Sequence, residues 1–316
     1  MKVYVIVILT LIKLCASEVD EELQEKFKTL SSSNFEKHFN EKNYSWKIKQ
    51  YTNITLTRGV GRQNRDINDL RVNYIDPETV NGLLPESFDA RLKWPHCFTI
   101  GKIRNQYNCG SCWAHGVADV ASDRMCIKTG RQIELSIQDL ECSHPHQTIC
   151  YSGVSSDGFK FWRDYGLVTE TCKPYEPFNL NRNKCVSYCK NNPYPMVYFK
   201  NKFHAADVYA IPNDSWQIKA ELFLNGPIHA LMVIHEDFRT SYGEQGYSSG
   251  IYQHTHGKPT ILHSVRVIGY GVENGVEYWL AANSWGPEWG EGGFFRIKSF
   301  QPEIEFENSM ITGIPQ

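Results

Sequence analysis

The chain has no surplus of charge of either sign: 33 Lys and Arg stand against 35 Asp and Glu. That balance removes the electrostatic basis for binding nucleic acid or an anionic membrane surface. No apolar run is long enough to span a bilayer, and no repeat or low-complexity tract occurs. Cysteine is missing from Glu18 to Leu83, and histidine is missing from Gln147 to Phe203. The first gap sets an N-terminal stretch apart from the rest, and the second bears on specificity. A length of 316 residues fits one large or two small domains.

Met1 to Ser17 reads as a secretory signal: Lys2 is the charged start, Val3 to Ile12 the apolar run, and Cys15-Ala16-Ser17 a small-residue cleavage site. The bland alternative is a buried N-terminal strand. Ten cysteines, one of them in that leader, leave nine in the exported chain. Eight can pair, and an odd one in an exported protein implies intermolecular pairing or a reactive thiol. Asn43, Asn53 and Asn213 each open a glycosylation sequon, which carries meaning only in an exported chain. Glu18 to about Leu83 is rich in Lys, Asn and Glu and carries a basic, glycine-containing stretch from Arg58 to Arg65.

Beyond that stretch the pattern changes from helices to strands. Cys112 opens a helical run with Trp113, Val117, Val120 and Ala121 inward, stopped by Gly130. Further helices are predicted after a Ser136 cap, from Asp157 to Tyr165 ended by Gly166, and from Ser215 to Leu224. Strands are predicted over Ile228 to Ile234, Ser264 to Tyr270, Val276 to Ala282 and Phe294 to Ile297. Asn274-Gly275 between two of them signals a type I′ hairpin.

One constellation carries chemistry: Gln106, Cys109-Gly110-Ser111-Cys112-Trp113, His263 and Asn283-Ser284-Trp285. His263 lies 151 residues after Cys112, and Asn283 lies 20 after His263. A thiol is a useful nucleophile only as thiolate, and two devices favour that form: a helix N-terminus under the sulfur and a histidine to take its proton. On these residues Leu84 to Pro315 resembles the papain-like cysteine proteases, most closely their cathepsin B group. Leu84-Pro85-Glu86-Ser87-Phe88-Asp89-Ala90-Arg91, Ser122-Asp123-Arg124-Met125-Cys126, Gly271-Val272-Glu273-Asn274-Gly275, Trp289-Gly290, Gly293-Phe294-Phe295 and Gly313-Ile314-Pro315 add to it.

The resemblance implies an α+β, two-lobed fold: a helical lobe over about residues 95–195, an antiparallel barrel-like lobe over about 196–316, and a cleft between. It implies residues 18–83 as a propeptide through the cleft, with Trp46 as its characteristic tryptophan. A flexible polar extension is the alternative. The implied disulfides are Cys97–Cys126, Cys109–Cys150, Cys142–Cys185 and Cys172–Cys189, with Cys112 left as nucleophile. Cys112 is then a thiolate beside the His263 imidazolium, Asn283 holds the ring, Trp285 covers that bond, and Gln106 donates to the oxyanion. Gly153, Ser152, Trp285, Ser309 and Leu262 are the implied substrate contacts. Protein and peptide substrates, the propeptide and cystatin-like inhibitors are the implied partners of a monomer in a lysosome, a digestive vacuole or outside the cell. No cofactor and no metal is implied.

The chain also departs from that pattern. The stretch between Cys172 and Cys189 is short and lacks the paired histidines that bind a substrate's terminal carboxylate. Weak or absent carboxydipeptidase activity is therefore expected, with internal cleavage favoured. Tyr151-Ser152-Gly153 replaces Asn-Gly-Gly, Ile261-Leu262 replaces two glycines, and Tyr107 replaces a glycine after the oxyanion glutamine. Ser309 stands where an acidic residue accepts basic P2 side chains, with Glu305 or Glu307 as compensating candidates and an apolar P2 preference expected. His115, His254 and His256 read as bystanders. Other classes are a Cys109/Cys112 disulfide oxidoreductase, a zinc domain using Cys109, Cys112, Cys142 and Cys150, and a silent binding protein on the same scaffold.

Overall fold

A computed structural model describes residues 20–51, 67, 69–80, 84–143, 150, 152–177, 185–192, 194–239 and 245–316. The leader Met1 to Ser17, the sequon at Asn53, the basic stretch Arg58 to Arg65 and much of the short segment after Cys172 lie outside them.

The N-terminal segment is folded onto the rest. Helix α1 (Glu21–Thr29) begins at Asp20, whose carboxylate accepts from Leu23 N–H at 3.0 Å. Helix α2 (Ser32–Glu41) buries Phe35 and Phe39, four residues apart on one face. Strand β1 (Trp46–Gln50) follows. Leu23, Phe35, Phe39, Trp46 and Ile48 join one apolar cluster with Phe238, Tyr247, Tyr252, Trp285 and Trp289.

Strand β2 (Phe88–Asp89) leads through two single helical turns to the central helix α3 (Cys112–Thr129). Gly130, at φ 72°, ends α3 by donating to the Cys126 carbonyl. Helix α4 (Ile137–Ser143) is capped as expected: Asp139 N–H donates to Ser136 Oγ at 3.0 Å. Helix α5 (Ser155–Asp164) starts two residues earlier than its pattern indicated, and Gly166, at φ 73°, turns the chain after it. Helix α6 (Pro195–Lys200) precedes strand β3 (Ala205–Ala210), and helix α7 (Ser215–Asn225) follows.

The remaining strands are β4 (Ile228–His235), β5 (Gln245–Tyr252), β6 (Pro259–Glu273), β7 (Val276–Ala282), β8 (Phe294–Lys298) and β9 (Ile311–Pro315). Their order is β1-β5-β8-β7-β6-β4-β9-β3, with β2 also on β6. All neighbours are antiparallel except β5 and β8. Asn274 and Gly275, at φ 53° and 78°, make the type I′ turn between β6 and β7. Among the described residues the sheet runs open from β1 to β3 and does not close as a barrel. The fold is α+β and two-lobed, papain-like in architecture.

A second apolar cluster joins the lobes, with Cys112, Trp113, Val117 and Phe159 from the helices meeting Leu231, Val233, Leu262 and Ile311 from the sheet. Helix α3 therefore lies against β6, β4 and β9, and Cys112 shares one apolar cluster with Leu262, the residue before His263.

Candidate active site

Cys112 is the first residue of α3, where the N–H groups of the opening turn have no intrahelical partner and their dipoles favour negative charge. Ser111 caps that turn without its side chain, because its hydroxyl is shared with the Tyr175 hydroxyl at 2.6 Å. The preceding loop is pinned by the Cys109–Cys150 disulfide and by Gly110 N–H donating to the Cys150 carbonyl. Three further bridges close, Cys97–Cys126, Cys142–Cys185 and Cys172–Cys189, and Cys112 keeps its thiol. Cys109 is bonded to Cys150, so no Cys109/Cys112 redox couple forms. Cys142 and Cys150 are likewise committed, which removes the zinc reading.

His263 lies in the middle of β6, opposite Met232 of β4. Its Nε2 donates to Asn283 Oδ1 at 2.8 Å, and that oxygen also accepts from Ser284 N–H at 2.7 Å. Asn283 lies one residue past β7, tied back by its N–H to the Gly293 carbonyl. The Trp285 ring covers the pair, its centre 4.7 Å from that of the imidazole, and Trp289 supports it edge-on at 5.1 Å. Enclosing a hydrogen bond in this way strengthens it. The donated Nε2–H leaves the lone pair on Nδ1, which is buried without a hydrogen-bond partner.

Cys112 and His263 are both fully buried in this state, with the N-terminal segment in place. Burial pushes the His263 imidazole down to about 4, opposed by the Asn283 bond and reinforced by nearby His115. Burial of this kind opposes a cation on the ring.

Gln106 is buried and held on several sides. Its N–H donates to the Ser284 carbonyl at 2.8 Å, its Nε2 donates to the Cys109 carbonyl at 2.8 Å, and its Oε1 accepts from Ser284 Oγ at 2.6 Å. Tyr175 donates to the Gln106 carbonyl at 3.1 Å. Tyr107, in the left-handed region at φ 51°, stores strain where a glycine would not.

Of the expected substrate contacts, Leu262, Trp285 and Ser309 are buried, Gly153 is half-buried and Ser152 is exposed. A Cβ on Gly153 would sit 2.1 Å from the Trp113 ring, so packing alone requires glycine there. Glu307 is occupied elsewhere, accepting from Trp279 Nε1 at 2.6 Å and Phe300 N–H at 2.7 Å.

Tyr175 was missed in the sequence, and Ser284 was read as part of the motif without its hydroxyl's bond to Gln106, because no local signal marks contacts between such distant positions. His115, read as a bystander in the nucleophile helix, lies on α3 three residues after Cys112. Its Nδ1 donates to the Ser111 carbonyl at 3.0 Å, its ring meets Tyr175 edge-on, and burial lowers it to about 4. His254 pairs with buried Asp237 at 3.1 Å, and His256 faces the N-terminal helices.

This arrangement matches the family model described as papain family cysteine protease over residues 84–314. Cathepsin B-like cysteine proteinase 3 of Caenorhabditis elegans is 38% identical over 260 residues, spanning 76% of this chain and 69% of that protein. A gut-specific cysteine proteinase of the same nematode is 36% identical, spanning 75% and 76%. Among solved structures, procathepsin B S9 from Trypanosoma congolense superposes with a TM-score of 0.78 at 28% identity, over 91% of this chain and 99% of that one. The chain belongs to the papain family of cysteine proteases, among its cathepsin B-like members.

Proposed function

We propose that this protein is a zymogen of a cysteine endopeptidase that cleaves peptide bonds through an acyl-enzyme. The observation that carries the reading is the His263–Asn283 bond beneath Trp285, with His263 on the strand that packs against α3. Departure of the N-terminal segment hydrates the cleft and lets His263 take the Cys112 proton. The thiolate attacks the scissile carbonyl. The oxyanion is met by the Cys112 backbone N–H and by the second N–H of the Gln106 amide, whose first is bound to Cys109. His263 then protonates the leaving amine, and water, deprotonated by His263, clears the thioester.

The segment from residue 18 to about 83 acts as the inhibitory propeptide, consistent with the packing of Trp46 on Tyr247 and Tyr252. Short spacing between Cys172 and Cys189, with no histidine in it, favours internal cleavage over removal of C-terminal dipeptides. Leu231, Val233 and Leu262 favour an apolar P2 residue. The protein travels the secretory pathway to a lysosome, a digestive vacuole or the outside, with exposed Asn43 and Asn213 open to glycosylation. It acts as a monomer on proteins and peptides, is open to cystatin-like inhibitors and uses no cofactor or metal. Among the described residues no helix is long and apolar enough to cross a membrane.

The test is a peptide-library cleavage profile at acid and neutral pH, with Cys112→Ala alongside and an epoxide thiol reagent to label Cys112. Internal cleavage lost in Cys112→Ala and blocked by the label is expected. Cleavage surviving in Cys112→Ala, or release of C-terminal dipeptides with no internal cleavage, overturns the reading.

A further inference from the structure

Residues 69–75 make a set of contacts that the covering of Cys112 does not require. Ala210, at the end of edge strand β3, donates its N–H to the Arg71 carbonyl at 2.9 Å and accepts from Asn73 N–H at 3.0 Å. These bonds lay Val72 parallel to Ala210 and satisfy part of the sheet's edge. Arg71 Nε donates to Asp207 Oδ2 at 2.7 Å, and its guanidinium lies over the Tyr209 ring at 5.0 Å. Asp69 pairs with Lys160 of α5. Gln217 of α7 takes both main-chain groups of Ile75, at 2.7 and 3.0 Å. Leu70, between the two charged residues, is buried in the cluster that holds Cys112 and Leu262.

Resting on the reading that this segment leaves on activation, we propose that the β3 edge, flanked by Lys160 and Asp207, becomes an exosite in the processed enzyme. Its ligand is an extended segment of a protein substrate with an acidic residue two places before a basic one. Edge pairing holds any extended backbone, and the two charges supply the selection. Lys160, Asp207, Ala210 and Gln217 all sit on helices or strands, so the receptor stays in place when the segment goes. A single exposed ion pair selects weakly, but a ligand with both charges swapped exchanges two attractions for two repulsions.

The test uses the full chain after self-processing and quenched peptides that share one scissile site and a flexible linker. One peptide bears Asp-Leu-Arg-Val-Asn and the other Lys-Leu-Glu-Val-Asn, tried on either side of the site. The first should show a KM about five- to tenfold lower at low salt, converging with the second at about 1 M salt. A Lys160→Glu, Asp207→Lys double variant should reverse the order. Equal KM values for the two peptides at low salt overturn the exosite, and that outcome needs no variant to fold. A short dipeptide reporter measured beside them reads the peptidase itself, and silence there strikes the underlying reading instead.

Discussion

The Gln106 carboxamide is clamped at both ends: Ser284 Oγ donates to its Oε1, and its Nε2 donates to the Cys109 carbonyl. Ser284→Ala releases one end and lets the amide swing, so kcat should fall about tenfold with KM little changed. That is smaller than the roughly 10²–10³ expected for losing the donor itself. Steady-state kinetics on enzyme titrated for active sites would read it, and a KM effect alone would sink the idea. His229 presents the opposite case. Both its ring nitrogens are buried without a hydrogen bond, beside Phe159 and tight against Gly116. Burial pushes it down to about 3 from an ordinary 6.5. The unfolded chain therefore takes up the proton first, and stability drains away as pH falls from 6.5 toward 3. His229→Leu should gain about 1–2 kcal/mol at neutral pH by removing an unsatisfied group. It should also flatten the acid slope. Urea unfolding at pH 7 and pH 5 checks both effects, and an unchanged slope refutes the account.

At the scale of elements, the N-terminal helices rest on a histidine. His256 is enclosed by Phe27, Phe35 and Phe39, with ring centres 4.8, 5.1 and 5.8 Å away. Burial lowers its pKa, and the Asp237 charge opposes that shift. The docked state thus prefers neutral imidazole, so docking is at full strength above the ordinary value of 6.5 and weakens as pH falls below it. Loss of the segment from a Cys112→Ala proform, cut by added active enzyme, should speed up from pH 7 to pH 5. His256→Leu should blunt that rise, and a rate already flat in the unaltered proform would dispose of the mechanism. These helices were not legible in the sequence. Phe27, Phe35 and Phe39 stand amid Lys, Asn and Glu, and only a surface more than 200 residues away gives them a place to be buried. By contrast α3, α7 and the β6–β7 hairpin were legible, because Gly130, the Asn225-Gly226-Pro227 stop and Asn274-Gly275 act locally. The Cys112, His263 and Asn283 positions were readable through their motif. The hydroxyls of Ser284 and Tyr175, placed by tertiary folding alone, were not.

Across the whole molecule, two buried ion pairs fasten α3 to what surrounds it. Arg124 binds Glu221 at 2.8 Å and also donates to the carbonyls of Pro227 and Gly226. Arg266 of β6 binds Asp123 at 2.8 Å and also serves the carbonyls of Thr99 and Lys102. Removing one member of such a pair costs about 3–5 kcal/mol, because the other is left charged and dry. The two cases should nevertheless differ with pH. Glu221→Leu strands a guanidinium that cannot shed its proton, so its cost should be the same at pH 7 and pH 5. Arg266→Met strands Asp123, whose carboxyl burial already pushes up to about 6 against the pull of Arg266. With that pull gone the folded-state value rises further, so the protonated acid is favoured and stability recovers as pH drops. Denaturant midpoints for both variants at the two pH values test this, and parallel losses would show that Asp123 does not titrate as the pair requires. Both anchors lie toward the far end of α3 from Cys112. Slackening either should therefore reduce kcat below the melting temperature, as the nucleophile loses its fixed seat against β6 before the fold itself gives way.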